Sequence, residues 1–386
     1  MADFKIYSPT SETHITPAEG KIKLGSSNVL KIYQGSTLVW PISSGPDDSY
    51  TPIDGANFRF LAHKYSAPYF GIFDDQFNEV NTGYTFSSLP NLTTYRVGAI
   101  SDNFTYMIAS GNATSEIVLL STNNGESWSS LEFSANNSDC HMSKSGQVMV
   151  IGSSNNTLEV SNDYGSNFTT HNLNNIITSG TSIILFSKIS LSAGGKYILV
   201  AVLVSGNPSD ENDYRYLVST DYGATFNDVT STVGFPNLKT NNNLVSVQDV
   251  LVSGDGKYQI YFQGSSAPEA YGYSRYSNDY GVTFSDKAYQ RIDYNERGRM
   301  SNTGQYFILG TATQAYYSDD YGASTPLSTI NNSGAQYLGV SNSGKYSLSI
   351  AFNTSIVKYS DDFFSTFTSI SIPSSVLGNY LLVDVS

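Results

Sequence analysis

The sequence predicts an all-β fold, a seven-bladed β-propeller preceded by a small N-terminal β module. Three observations lead there. A turn of the form Ser-x-Asp-Tyr-Gly-x-Thr-Phe recurs along the chain. A second turn, Ser-x-x-Gly-Lys-Tyr or close to it, alternates with the first. Apolar stretches of strand length separate the two, and repetition at this period marks one small unit copied round a ring or along a stack.

In chain order, residues 1–45 read as short strands with Gly, Ser and Asn turns. The segment Lys21-Ile22-Lys23-Leu24-Gly25-Ser26-Ser27-Asn28 to Trp40-Pro41 is the clearest part. Residues 46–56 form a polar linker that begins with Pro46-Asp47-Asp48-Ser49. The repeats fill 57–386.

Clear copies of the Asp turn are Ser161 to Phe168, Ser219 to Phe226 and Ser277 to Phe284, and looser ones are Glu79 to Phe86, Ser121 to Trp128, Ser318 to Thr325 and Ser360 to Phe367. The turn residues are Asn81 and Gly83, Asn123 and Gly125, Asp163 and Gly165, Asp221 and Gly223, Asp279 and Gly281, Asp320 and Gly322, and Asp362 with Phe364 in the glycine place. Gly supplies the left-handed backbone, and the carboxylate or amide oxygen accepts N–H groups of its own turn. Phe364 therefore predicts a distorted last turn or one of another type. Spacings of 42, 40, 58, 58, 41 and 42 residues put insertions into two units.

The second turn recurs at Ser101 to Tyr106 (without Gly), Ser143 to Val148, Ser192 to Tyr197, Ser253 to Tyr258, Ser301 to Tyr306 and Ser341 to Tyr346. One unit is thus strand, Gly turn, strand, loop, strand, Asp turn, strand, the size of a propeller blade. The first unit, from Phe58-Arg59-Phe60-Leu61-Ala62, begins at a second strand, while the segment 380–386 reads as a first strand without a partner. Pairing the two closes a ring and leaves no exposed sheet edge.

Composition agrees. Charged residues are 14%, aromatics 13%, and Tyr alone numbers 29 in 386 residues, which suits short strands and polar turns. The formal charge of −13 argues against nucleic acid, which a basic face must hold, and against an anionic membrane surface. No signal peptide and no apolar span of membrane length is read, so no membrane insertion is expected. Cys140 is expected as a small buried residue. His14, His63, His141 and His171 show no metal-ligand spacing, so no metal and no cofactor is expected.

The Asp turns resemble Asp boxes, the repeats of sialidases, sortilin-type receptors, some endoglucanases and a photosystem II assembly factor family. The resemblance implies the propeller and places these turns on its rim, away from any active site. Residues Lys21 to Pro41 are similar to a small β segment of tailed-phage structural and tail proteins. That resemblance implies a virion component, made in the host cytoplasm, whose N-terminal module docks to other virion proteins while the propeller meets them or a host surface glycan or protein.

Chemistry is expected to be absent, with no catalytic residue assigned. A sialidase needs converging arginines. Phe58-Arg59-Phe60-Leu61 only faintly resembles the family's Phe-Arg-Ile-Pro motif. Arg215 and Arg275 read on third strands, and Arg291, Arg297 and Arg299 read around one connection between units. Other glycosidases need two acids across a cleft, and none is singled out. Gly339 to Tyr346 nearly matches a phosphate-binding loop but is the repeat's own turn. Insertions fall on the side of the second-to-third and fourth-to-first loops, at Thr169 to Ser182, Val204 to Tyr214, Asn227 to Asn243 and Gly264 to Tyr273. A contact side is expected there, with Asp210, Asp213 and Tyr214 as candidate binding residues. A glycan-active hydrolase and a protein-holding assembly propeller are the alternative readings.

Overall fold

Four-stranded antiparallel meanders repeat through the chain in the computed structural model. It describes 94–112, 116–131, 133, 137–153, 156–177, 182–205, 213–235, 245–265, 273–287, 297–310, 315–324, 327–330, 335–351 and 356–371, together with the strands named below at 5–40, 60–85 and 380–385. Two compact units divide it, Met1–Gly45 and Pro46–Ser386. In the first the described strands form three two-stranded antiparallel pairs: Lys5–Ser8 with Ser11–His14, Lys23–Leu24 with Ser27–Asn28, and Ile32–Gln34 with Thr37–Trp40.

In the second unit the described strands form seven four-stranded sheets. Sheets two to seven open on the first strands Thr94–Ile100, Asn137–Met142, Ser182–Leu191, Val245–Val252, Arg297–Met300 and Ala335–Val340. The first sheet takes its first strand, Tyr380–Val385, from the far end of the chain and continues through Phe60–Lys64, Tyr69–Phe73 and Glu79–Thr85. The closing register runs from Tyr380 opposite Lys64 to Val385 opposite Phe60. Each first strand packs beside the next, and Tyr380–Val385 packs beside both Ala335–Val340 and Thr94–Ile100. The circuit of innermost strands is therefore complete, as a propeller requires.

The core lies between sheets rather than within them. Around the second strand of sheet three, Met149–Ser153, Val148 just before it and Val150 within it pack toward sheet four with Ile198, Val200 and Val202. The intervening Met149 and Ile151 pack toward sheet two with Ile108, Val118 and Leu120. A two-residue period sends alternate side chains to opposite neighbours, and both neighbours are sheets. This is why Ile198–Ser205 is apolar almost throughout.

The two turn types are local devices with the same serine logic. In the Gly turn, Ser192 Oγ accepts the Tyr197 N–H at 3.0 Å, and Ser101, Ser143, Ser253, Ser301 and Ser341 do the same. In the Asp turn, Ser219 Oγ donates to Asp221 Oδ1 at 2.8 Å and accepts the Gly223 N–H at 2.8 Å. Asp221 then accepts the Thr225 N–H and hydroxyl at 2.9 and 2.7 Å. Tyr222 N–H donates to Lys196 O at 3.2 Å, which ties the Asp turn to the Gly turn of the same sheet.

Two expectations are corrected here. Asn81 and Gly83 do not lie in a third-to-fourth turn: they lie inside the fourth strand, Glu79–Thr85, where Asn81 faces Ile72. The segment that joins the first sheet's third and fourth strands, Asp74-Asp75-Gln76-Phe77-Asn78, lies outside the described residues. The last Asp turn is not of another type. Phe364 adopts φ 67° in the place where Gly165 has φ 80°. Phe364 N–H meets Ser360 Oγ at 3.1 Å, and Asp362 holds Thr366 as its counterparts do.

The reason is a size exchange. A Cβ on Gly165 would lie 2.5 Å from Leu120 and 3.2 Å from Met149. Ser347 stands in the last sheet where Met149 stands in the third, each opposite its turn serine. The Phe364 ring is 1% exposed and edge-on to Tyr317 at 5.3 Å, and Ser347 offers it less bulk than Met149 would.

Candidate functional site

The innermost strand of each sheet pairs with one strand only, and the other edges surround the axis. Two first strands cover that edge with acids at the same repeat position, three residues before the strand's end. Asp139 Oδ2 accepts the Ile189 N–H of the next sheet at 3.0 Å. Asp249 Oδ2 accepts the Gly298 N–H of the next sheet at 2.6 Å, and its Oδ1 accepts the Val250 N–H at 2.9 Å. Both first strands carry a register shift ending at that acid; a bulge re-aims a side chain in this way.

The other oxygen of Asp139 meets His141 Nε2 at 3.1 Å. Burial alone pushes the Asp139 carboxyl up, but His141, the nearby Lys188 and the Ile189 N–H outweigh it, and the net shift is downward. The acid is held as a carboxylate.

At the Gly-turn end, successive sheets join through main chain. Asp102 N–H donates to Lys144 O at 2.8 Å, Lys144 to Ala193 at 2.9 Å, Ala193 to Gly254 at 3.0 Å, Gly254 to Asn302 at 2.8 Å and Asn302 to Asn342 at 2.7 Å. The Asn342 side chain then donates to Asp102 Oδ2 at 3.0 Å. Gly254 is required by closeness, since a Cβ there would lie 1.3 Å from Asn302 Oδ1.

This belt and the first strands line an axial cavity of about 120 Å³. Its polar lining includes His141, Lys144, Asp249, Arg299, Asn302 and Asn342. It is the candidate functional site.

The expected site residues lie elsewhere. Asp163, Asp221, Asp279, Asp320, Asp362 and Asn123 are engaged in their own turns. Burial raises the Asp221 carboxyl, yet the bonds from Thr225 and Ser219 overcome this and leave it below the ordinary range; Asp163, Asp279 and Asp320 behave alike. At Asp362 the Thr366 hydroxyl and N–H lower the carboxyl directly. Gly125, Gly165, Gly223, Gly281 and Gly322 all have positive φ, as the turn demands.

Asp213 and Tyr214 are not loop residues. They begin the third strand Asp213–Ser219 opposite Val204 and Leu203, and Tyr214 packs against the cluster of Tyr216, Val233 and Tyr261. Asp210 lies outside the described residues, as do Arg59 and Arg291.

Arg215 and Arg275 stand on third strands as expected, with Arg275 paired to Asp286 at 2.5 Å. Arg297 and Arg299 stand on an innermost strand beside the axis, not in a connection between sheets. Cys140 is buried in the core. Asp139, His141, Asp249 and Arg299 were missed as a group. For the two acids the available signal was a charged residue at a first-strand position that is Val97 in sheet two; His141 and Arg299 stand at the position that is Ala99 there.

Among the described residues no group of three or more His, Cys, Asp or Glu could hold a metal, and no helix is long and apolar enough to cross a membrane. No protein-family model matches the sequence, and no curated protein sequence matches it. Solved structures do match. A GH74 xyloglucanase from Xanthomonas campestris aligns at TM-score 0.56 and 13% identity, over 84% of this chain and 52% of that one. The chain thus spans about half the length of the xyloglucanase. The β-propeller domain of Myceliophteria thermophila Cps50 (Swd1) aligns at TM-score 0.48 and 8% identity, over 74% of this chain and 90% of that one. At 13% identity the likeness to the xyloglucanase shows the fold alone, and with the closed circuit of four-stranded sheets it makes this chain a β-propeller.

Proposed function

We propose that this chain is a non-enzymatic binding propeller, a structural or adhesion component of a phage particle. In this reading the N-terminal unit docks to the particle and the propeller contacts a virion partner or a host surface glycan. One observation carries the non-catalytic part. The acids that the repeat multiplies are engaged as turn acceptors, and Asp139 and Asp249 at the axis are engaged as backbone acceptors. A glycosidase pair needs one acid free to give a proton and another free to attack or to activate water.

The Asp-box resemblance of the turns supports the scaffold role. The resemblance of Lys21 to Pro41 to tailed-phage proteins, with Met1–Gly45 a compact unit of its own, supports the docking role. Mass spectrometry of purified particles tests it: the chain is expected among the virion proteins, and its absence there overturns the reading. A hydrolase on the same scaffold is the second reading, favoured by the fold shared with a xyloglucanase. Release of reducing sugar from a panel of sialosides and β-glucans would establish it.

A further inference from the structure

We infer that the tips of the Asp turns form a binding surface for a neutral polysaccharide, with Tyr280 and Phe363 as its stacking rings. Among the described residues the large apolar side chains left exposed are Tyr280, Val282 and Phe363, at 45%, 70% and 42%. All of them belong to Asp turns, Ser277 to Phe284 and Ser360 to Phe367. A single surface aromatic needs no explanation, but exposure confined to one kind of turn does.

The position just before the turn glycine is also unfavourable for the residue it holds. Tyr164, Tyr222, Tyr280, Tyr321 and Phe363 have φ of 61°, 60°, 62°, 61° and 58°. Bulky side chains resist this backbone and Asn tolerates it. Sheet two has Asn124 there, at φ 58°, so a small polar residue makes the same turn. Packing accounts for part of the preference: Tyr280 stacks on Tyr197 at 5.7 Å, and Phe363 meets Tyr306 in a tilted pair at 5.5 Å. It does not account for the exposed remainder of each ring. Nor does it account for Val282, which stands where other turns have Ser166, Ala224, Ala323 and Ser365.

The groups around the rings select the partner. Asn278, Thr283 and Ser365 are exposed in the same turns, so apolar faces alternate with amide and hydroxyl groups. A sugar ring presents the matching alternation of C–H faces and hydroxyl edges. The carboxylates of Asp279 and Asp362 in these turns and the net charge of −13 disfavour an anionic chain. Main-chain bonds from Tyr280 to Lys257 O and from Phe363 to Lys345 O hold the tips beside the Gly turns, one tip per sheet. Such spacing suits a polymer of repeating units held at several weak points. A peptide that adds a strand needs a sheet edge instead.

This inference rests on the reading of the chain as a binding propeller and adds the class of glycan and the face that meets it. Native electrophoresis of the full chain through gels containing dextran, mannan, galactan or xyloglucan tests it. Alginate serves as the anionic arm, and a proline-rich peptide titrated by calorimetry as the protein arm. Retardation by at least one neutral polysaccharide is expected, and none by alginate. Tyr280→Asn and Phe363→Asn copy the residue of sheet two, so the melting temperature should hold. Each is expected to weaken binding about fivefold, as loss of one aromatic contact does, and the pair to abolish it. No retardation by any of the four, retardation undiminished in the double variant, or binding only to alginate or the peptide overturns the proposal. Should the Asn variants fail to fold, Val282→Ser is the reporter, and unchanged retardation in it is the overturning result. Absence of the chain from purified particles would remove the virion reading and leave polysaccharide binding standing; presence there without retardation would do the reverse.

Discussion

At position 364 the repeat breaks its own rule, and the neighbour Ser347 shows why the break is tolerated. Ser347→Met should drive a side chain into the Phe364 ring and cost about 1–3 kcal/mol, as overpacking does. The double variant Ser347→Met/Phe364→Gly restores the pairing of sheet three, Met149 with Gly165, and should recover most of that loss. Urea unfolding of the four members of the cycle measures the coupling; additive effects would contradict the size exchange. The Ser347 hydroxyl is itself buried without a hydrogen-bond partner, so Ser347→Ala should be neutral or stabilising.

The Asp turns and the tyrosines of the Gly turns act as elements. The turn tyrosines Tyr106, Tyr197, Tyr258 and Tyr306 each lie against the next sheet. Tyr106 stacks on Tyr164 at 4.7 Å and Tyr197 on Tyr280 at 5.7 Å, and Tyr258 meets Tyr321 in a tilted pair at 4.8 Å. The turn glycine of the next sheet rests on the same ring, since a Cβ on Gly304 would lie 2.6 Å from Tyr258. Tyr258→Ala should therefore loosen two sheets at once, by about 2–3 kcal/mol for a partly exposed ring, read by thermal unfolding.

Acid should loosen the Asp turns together. Their carboxyls titrate below the ordinary 3.8 when folded. The unfolded chain therefore takes up protons first as pH falls. The stabilisation is complete above about pH 4–5 and is lost as pH drops through the folded values. Urea midpoints at neutral pH and near pH 3 check the sign, and Asp221→Asn should flatten the response in proportion to its one turn of several.

At these two scales the sequence was readable where a residue's role is local. Serine, Asp or Asn, and Gly declare a turn through the bonds they make within eight residues. The aromatic three places after the glycine declares inter-sheet packing, and Phe168, Phe226, Phe284 and Phe367 pack so. The axial group was not readable, because Asp139 meets Ile189 and Asp249 meets Gly298 across 50 and 49 residues. Nor was the register of the first sheet, where Asn-x-Gly in a strand imitates a turn.

For the whole molecule, the decisive pairing is Tyr380–Val385 with Phe60–Lys64. A chain cut before Tyr380 should lose several degrees of melting temperature and unfold less cooperatively, because the first sheet then presents an unpaired edge. Adding a peptide of residues 380–386 should recover part of the loss; full stability of the cut chain would contradict the closed circuit.

That pairing also sets a timetable for biosynthesis. Residues about 320 positions apart must meet, and contacts so distant form late. On the ribosome the early sheets can stack in order as they emerge, yet the opening sheet stays one strand short until residue 385 has left the exit tunnel. For most of translation the nascent chain carries an adhesive β rim, and chaperone dependence or aggregation under fast expression is its natural cost.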